Sequence, residues 1–204
     1  MSKQDKRKRL MDAAYKVFVR KGYHHASIKD IADEAEMTPG LIHYYFKNKE
    51  ELLLSVQEEV QNRYHRQYEG QQDDRQDDQQ DDNQDDTTTL ESVLLEIKCR
   101  AGDNPDWYRW RYEIYSLGVK NESGQFEKEV ASILKKGRDS LSAPLQKLLG
   151  DSPHTDGLAA ILLACFDGLA LQKIVDDEFD IDHAYELLND LLVSYLDKHK
   201  KNFR

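Results

Sequence analysis

The residues best suited to binding chemistry lie between positions 38 and 49. His43 and Tyr44 carry an imidazole and a phenol, which can hydrogen-bond to phosphate oxygens or touch base edges. Lys49 adds a positive charge at a predicted helix start, where free amides already favour an anion such as phosphate. We therefore predict contact with nucleic acid. The alternative is a surface turn over a packed tyrosine pair, and for Tyr45 partial packing in the core competes with DNA contact.

Two short helices joined by a tight turn are predicted to position these side chains. Ser27 and Asp30 form a capping pattern, so the first helix should begin at Ile28. Thr38 is expected to cap the second, with Pro39 at its first position, where a missing N–H costs nothing.

The second short helix has one apolar and one polar side. Its apolar side can pack on the first helix through Leu41, Ile42 and Phe46. Its other side leaves Gly40, His43, Tyr44 and Lys47 nearer to solvent. This arrangement is typical of a helix-turn-helix with an exposed reading helix. Asn48 and Glu51 repeat the capping pattern for a longer helix that follows.

A block of linked positions resembles the DNA-binding domain of TetR/AcrR-family transcriptional regulators. It consists of Gly22-Tyr23, Ser27-Ile28-x-x-Ile31-Ala32 and the run GLIHYYFKNKE from Gly40 to Glu50. The resemblance implies an all-α fold, with an N-terminal three-helix helix-turn-helix domain and a C-terminal helical domain for ligand binding and dimerisation. It also implies a homodimer on a near-palindromic DNA operator, released by a small-molecule effector. By position, the family's DNA contacts fall on Ser27, Thr38, Pro39, Gly40, His43, Tyr45 and Lys49, with Tyr44 adjacent.

The distribution of charge supports a DNA-binding head independently. The chain of 204 residues has a net charge of −10. Residues 1–49 hold 11 Lys and Arg against 6 Asp and Glu, a net of +5, so residues 50–204 carry −15. A basic head is what phosphate binding requires. The basic segment Lys3 to Arg9 fits either a flexible arm reaching DNA or a solvated helix start.

Composition narrows the class of protein. Two cysteines, Cys99 and Cys165, lie far apart, which favours a reducing compartment. The N-terminus has no apolar core of a signal peptide, and the longest apolar run, Leu158 to Phe166, is shorter than the ~20 residues that span a bilayer. We therefore expect a cytoplasmic protein without membrane contact. No histidine pair has zinc-site spacing and no nucleophile or nucleotide-binding motif occurs, so we predict no catalytic residues, metal or cofactor.

The tract from Gln71 to Thr89 repeats aspartates at i and i+4, which would repel along a helix. We interpret it as a disordered linker, with weak capture of divalent cations or competition with DNA for the basic head as alternatives. The preceding helix should fade near Tyr68 to Gly70, and the next should begin near Thr88 or Thr89. The predicted organisation is a DNA-binding domain at 1–49, a connecting helix at 50–70, the linker at 71–89 and an effector-binding and dimerisation domain at 90–204.

An aromatic helix is predicted after Asn104-Pro105. Its apolar residues lie all round it, from Trp107 to Val119, so it should be largely enclosed. The family resemblance implies that middle helices line an effector pocket, and the candidates are Trp110, Tyr112, Glu113 and Tyr115. Stabilisation of an aromatic core is the alternative for each of them. A Glu among aromatic rings would suit a lipophilic cation.

Three further helices are predicted: Phe126 to Leu149, kinked or divided at Pro144, then Asp156 to Val175 and Asp182 to Lys198. The resemblance implies that the last two form a four-helix dimer interface, for which we take Ala160, Ala164, Gly168, Leu171, Leu188, Leu192 and Tyr195. Without the resemblance, we would expect these residues to pack within their own chain. Asp167, inside an apolar run, is expected to lie at an interface or accept a hydrogen bond.

Together these features predict a homodimeric, ligand-responsive repressor. The alternative is a helical dimer that binds ligands or proteins and keeps a vestigial DNA-binding head. The caps, the basic balance and the tyrosine-rich reading helix argue against that alternative.

Overall fold

The computed structural model describes residues 2–73, 104–120, 124–150, 152 and 154–200, except for the side chains of 64–73 and 200. Regular structure in these residues is entirely α-helical, which confirms the predicted all-α class. The helices are α1 (Lys3–Lys21), α2 (Ile28–Glu34), α3 (Pro39–Tyr45), α4 (Lys49–Asp73), α5 (Pro105–Val119), α6 (Gly124–Leu149), α7 (Thr155–Val175) and α8 (Ile181–Lys200).

The helices α1 to α4 belong to one compact unit. Helix α1 packs on α2 and α4, and α2 packs on α3. The core between them is apolar, and its fully buried members include Leu10, Ala14, Val17, Phe18, Ile31, Ile42, Phe46, Leu52 and Leu53. Burial of each larger side chain contributes about 1.5–3 kcal/mol. This core fixes which face of α3 is left at the surface.

The predicted starts of α2, α3 and α4 are confirmed. Ser27 accepts a hydrogen bond from the Asp30 amide at 3.1 Å, and the Asp30 carboxylate accepts one from the Ser27 amide at 2.9 Å. The Asn48 side chain accepts a hydrogen bond from the Glu51 amide at 2.7 Å. Gly22 ends α1 with φ +75°, a conformation that favours glycine.

The helices α5 to α8 belong to the second unit. Helix α6 packs on α5 and α7, and α8 packs on α6 and α7, around a core that includes Tyr108, Leu145, Leu162 and Phe166. Asn104 caps α5 as predicted, accepting a hydrogen bond from the Trp107 amide at 3.2 Å.

Two predictions for the second unit differ in part from the structure. Helix α6 is not divided at Pro144, which lies buried within a single helix between the buried residues Leu141 and Leu145. Packing there retains a helix that loses one hydrogen bond at proline. Val119, expected to be enclosed with the rest of α5, is 81% exposed because it is the last residue of the helix.

The end of α4 also differs from the prediction. The helix continues past Gly70 to Asp73, so the first three residues of the aspartate-rich tract are helical. Residues 74–89, the predicted helix start near Thr88 or Thr89, and Cys99 lie outside the described residues.

One described helix, α7, is long and apolar enough to cross a membrane by length and composition alone. The core helix of a soluble protein has the same features, and α7 carries the ion-paired Asp167 near its centre.

Candidate nucleic-acid interface

One face of helix α3 packs on the core of the first unit, and the opposite face is exposed. Ile42 and Phe46 are 1% and 2% exposed, so they bind the helix to the core. Gly40, His43, Tyr44 and Lys47 lie on the exposed side, as predicted, and Tyr44 is 65% exposed. An imidazole and a phenol at the surface of a fixed helix are suited to hydrogen-bonding base edges or phosphates.

Gly40 has no packing partner that would explain a glycine. A Cβ atom built at this position meets no heavy atom within 4 Å, and Gly40 is not among the positive-φ residues. Glycine inside a helix costs roughly 0.5–1 kcal/mol relative to alanine. Gly40 therefore destabilises α3 relative to alanine, although packing within the chain does not require a glycine there. Its backbone, which carries no side chain, allows close approach of another molecule.

Tyr45 and Thr38 flank the exposed face in different ways. Tyr45 is partly buried, and its ring meets the Tyr44 ring edge-on with centroids 5.0 Å apart, so it supports Tyr44. Thr38 precedes α3 but makes no side-chain capping hydrogen bond, contrary to the prediction. Pro39 removes one amide from the first turn, and the Leu41 amide bonds the Thr38 carbonyl at 3.0 Å. The exposed Thr38 hydroxyl is thus not used in the cap.

The hydroxyl of Ser27 is already engaged. It donates to the Asp30 carboxylate at 2.7 Å, and Lys21 donates to the same carboxylate at 2.7 Å. These contacts, Lys21 first and Ser27 next, hold the pKa of Asp30 well below its ordinary value. A phosphate contact by the Ser27 hydroxyl would compete with this network.

Lys49 has a different environment from the predicted one. Its ammonium donates to the carbonyls of Tyr23 at 2.7 Å and Ala26 at 3.0 Å, and lies 4.3 Å from the centre of the Tyr23 ring. Partial burial lowers the pKa of Lys49. The prediction that Lys49 primarily meets a phosphate is therefore corrected, because its charge ties the start of α4 to the loop before α2.

The basic N-terminal segment is a helix start, one of its two predicted forms. Ser2 and Asp5 form a reciprocal cap. The Lys3 ammonium lies 5.1 Å from the centre of the Tyr44 ring, and the Arg7 guanidinium lies 5.1 Å from that of Phe46. The first turns of α1 thus place positive charge beside α3.

The turn between α2 and α3 contains a strained residue that the sequence did not indicate. Glu36 has φ +53°, in the left-handed region that costs roughly 1–2 kcal/mol for an L-residue. Its carboxylate pairs with Arg9 of α1. A glycine or asparagine would have signalled this turn, but a glutamate does not.

Two of the four predicted ligand-binding residues of α5, Tyr112 and Tyr115, contact a single aspartate of α7. Tyr112 donates to the backbone carbonyl of Asp167, and Tyr115 donates to its carboxylate at 3.0 Å. Trp110 is buried at 2% exposure, whereas Glu113 is partly exposed. The expectation that Asp167 accepts a hydrogen bond is confirmed.

Sequence reasoning missed the most buried charge of this cluster. Arg111, 8% exposed, forms a two-point pair with Asp167, from Nε at 2.9 Å and Nη2 at 3.3 Å. The available signal was its spacing from Trp107 and Tyr115, four residues before and four after it on one helix.

The predicted dimer residues divide into three groups by exposure. Ala160, Ala164 and Leu171 are exposed on α7, and Gly168, Leu188 and Tyr195 are partly buried. Leu192 is 4% exposed and belongs to the core of its own chain. Leu192 is therefore removed from the candidate interface, whose exposed apolar residues on α8 include Leu187 and Leu191.

Comparison with known proteins gives the same assignment for the N-terminal region. Residues 10–56 match the model of bacterial regulatory proteins of the tetR family. A relative, the fatty acid metabolism regulator protein of Bacillus subtilis, is 37% identical over 62 residues, which are 30% of this chain and 32% of that protein. The chain thus spans about a third of the length of this curated relative.

Two solved structures share the fold over nearly the whole chain. FadR of B. subtilis in complex with stearoyl-CoA has a TM-score of 0.68 and 21% identity, covering 92% of this chain and 97% of its own. A proposed transcriptional regulator from Saccharomonospora viridis in complex with choline has a TM-score of 0.75 and 21% identity, covering 93% and 96%. With the capped helix pair, the match identifies residues 10–56 as a region similar to bacterial regulatory proteins of the tetR family, and the two solved structures show that the chain shares their fold.

Proposed function

We propose that this protein is a homodimeric transcriptional repressor that binds a palindromic DNA operator and is released from it by a small molecule. The observation that carries this proposal is the exposed face of α3, where Gly40 has no heavy atom within 4 Å of a built Cβ. That glycine is costly to the helix and unexplained by packing, whereas close approach to a DNA groove accounts for it. Such a protein would act in the bacterial cytoplasm.

The direct DNA contacts in this proposal come from α3 and its flanks. His43 and Tyr44 would read base edges or phosphates, while Thr38, Pro39 and Gly40 let the start of α3 approach the groove. Lys47, exposed and without an ion pair to any described residue, would meet a phosphate. Tyr45 supports Tyr44, and Ser27 and Lys49 position the loop and the helix starts around them.

Dimerisation through α7 and α8 is supported by apolar side chains that are exposed on both helices in the described part of the chain. Ile161 and Leu171 are 59% and 46% exposed on α7, and Leu191 is 70% exposed on α8. Of the most apolar 18-residue stretch of α7, 28% is buried. Ala164 and Gly168 lie between the larger residues, and a Cβ built at Gly168 meets nothing within 4 Å, so a second helix could approach closely.

The dimer is tested by charge insertion. Ala164→Glu would place a carboxylate in the apolar interface and shift the protein from dimer to monomer, measured by analytical ultracentrifugation. Ala131→Glu, at an exposed position on α6, is the matched control and should leave the dimer intact. Unchanged mass for Ala164→Glu would contradict this interface.

Release by a small molecule is the part of the proposal that involves the second unit. Its support is that similar folds have been solved with choline and with stearoyl-CoA, and that the second unit of this chain holds an aromatic and charged cluster on α5. A ligand shifts the equilibrium only if it binds the DNA-incompetent conformation more tightly.

The whole proposal is tested by selecting bound DNA from a random pool with the purified full-length protein. We expect a palindromic consensus whose half-sites are ~34 Å apart or a multiple of that distance. Absence of any enriched sequence would favour the alternative of a ligand-binding or interaction protein with a vestigial head.

A further inference from the structure

The core of the second unit encloses one charged side chain among the described residues, that of Arg111. Its partner Asp167 is also largely covered, with 17% of the side chain exposed. Burying an ion pair removes solvation from both charges, and apolar residues of the same volume are often as stabilising or more so. Stability alone therefore does not account for the pair.

Among the residues that the structure describes, the groups that contact the Asp167 carboxylate come from α5. The Arg111 guanidinium lies 5.3 Å from the centre of the Trp107 ring and 4.9 Å from that of Tyr115, so two residues of its own helix fix its position. The Tyr115 hydroxyl points at the same carboxylate from 3.0 Å. The donors are thus organised by one helix, and α7 contributes only the acceptor.

The phenols remain donors over the physiological pH range. Burial raises the pKa of Tyr115, an effect that outweighs the lowering by the Arg111 charge. Burial also raises the pKa of Tyr112, and the Asp167 charge adds to it. A guanidinium fork with a neighbouring hydroxyl is well matched to a planar carboxylate.

We propose that the Arg111–Tyr115 donor set is the effector site and that its ligand is an organic acid with an apolar body, whose carboxylate replaces that of Asp167. This inference rests on the proposed ligand-responsive function and names its ligand class. The apolar body would lie among the rings of Trp107 and Tyr112. The lipophilic cation expected from Glu113 is not favoured, because the carboxylate that the aromatic rings surround is Asp167, which Arg111 already neutralises.

Displacement of Asp167 also suggests how binding is transmitted. Asp167 lies between Ala164 and Gly168 in the sequence of α7, beside the face proposed to meet the second protomer. Releasing its carboxylate from α5 removes the ion pair that fastens α7 at this point. The ligand would therefore alter the position of α7 in the dimer.

The experiment uses benzoate as the acid and benzamide as its neutral isostere, read by tryptophan fluorescence of the full-length protein. Both tryptophans of the chain, Trp107 and Trp110, lie on α5. We expect saturable binding of benzoate and none of benzamide or choline. Asp167→Ala removes the tethered competitor and should bind benzoate about ten-fold more tightly or better, as expected for a charge-assisted hydrogen bond gained without competition.

Matched variants identify the site. Asp190→Ala removes an exposed carboxylate on α8 and should leave benzoate affinity unchanged. Tyr115→Phe should weaken it several-fold, and Arg111→Met should abolish it. If Asp167→Ala does not fold, Asp167→Asn keeps the shape, and its thermal midpoint should rise with benzoate and not with benzamide.

Equal binding of benzoate and benzamide, an unchanged affinity in both Asp167 variants, or a full response of Arg111→Met would each overturn the inference. DNA affinity of every variant without ligand is measured separately. Operator binding with no response to benzoate would refute the ligand class alone, whereas benzoate binding without any selected DNA would refute the proposed repressor.

Discussion

Substitution of Gly40 by alanine should raise stability and lower DNA affinity, two effects of opposite sign from one methyl group. The backbone at Gly40 is not in a positive-φ conformation, and the built Cβ has no neighbour within 4 Å, so the folded chain accommodates alanine without strain. Removing glycine's excess freedom in the unfolded chain should raise the free energy of unfolding by about 0.4–1 kcal/mol.

The Gly40→Ala substitution should lower the affinity of the protein for its DNA operator. If α3 approaches the groove at Gly40, the added methyl group must displace either the helix or a base contact. Loss of one good base contact amounts to about 1–3 kcal/mol, or roughly ten-fold to more than a hundred-fold in affinity for the selected operator. Binding to random DNA should change much less, because phosphate contacts supply most of it.

The assays are chemical denaturation of the full-length protein and fluorescence anisotropy with operator and random duplexes. Gly124→Ala is the control: it lies at the start of α6, and a Cβ built there also meets nothing within 4 Å. It should raise stability with no effect on DNA. If Gly40→Ala is stabilised and binds the operator as tightly as the unmodified protein, the reasoning that gives Gly40 a role in DNA approach is refuted.

Three further predictions concern the same unit. Lys47→Ala should reduce the slope of log DNA affinity against log salt concentration by about 1 without loss of stability. Lys49→Ala should instead lower the free energy of unfolding by about 1–2 kcal/mol, because it removes two hydrogen bonds to backbone carbonyls. Equal salt slopes in both variants would contradict this division of roles. Glu36→Gly should raise the free energy of unfolding by about 1 kcal/mol by relieving the left-handed backbone, and Glu36→Ala, which loses the Arg9 pair but keeps the strain, should not. Because the pKa of Asp30 is lowered in the folded state, its stabilising effect is complete above the ordinary pKa of 3.8 and is lost as pH falls through the lower folded value. Unfolding followed from neutral to acid pH should therefore show a smaller acid loss in Asp30→Asn than in the unmodified chain, and parallel curves would exclude this role.

The helix starts could be predicted because their signals are local. Ser27 with Asp30, Asn48 with Glu51, and Asn104 with Pro105 each satisfy free amides within one turn, so residue type and spacing suffice to locate them. The exposed face of α3 followed for the same reason, since its apolar and polar residues alternate at helical spacing.

The environment of long charged side chains could not be predicted, because their partners are distant in sequence. Lys49 contacts carbonyls 26 and 23 residues earlier, and Arg111 meets an aspartate 56 residues later. A lysine beside a reading helix has the same sequence signature whether its ammonium meets phosphate or carbonyl oxygen. Only the packing of α4 against the loop before α2 decides between them.

Ion pairs between residues distant in sequence also decide which positive charges of the DNA-binding unit can reach DNA. Arg9 pairs with Glu36, Lys16 and Arg20 with Glu34, and Lys21 with Asp30. The acids of α2 and the turn after it therefore neutralise the basic residues of α1 from Arg9 onward. Lys3, Lys29 and Lys47 make no ion pair to a described residue, and they lie at the start of α1, on α2 and just after α3. Counterion release depends on the charges that reach phosphate and not on the net sum. The net of +5 therefore matters less than its distribution: the salt dependence of DNA binding should come from the lysines beside α3, and replacing Arg20 should leave it unchanged.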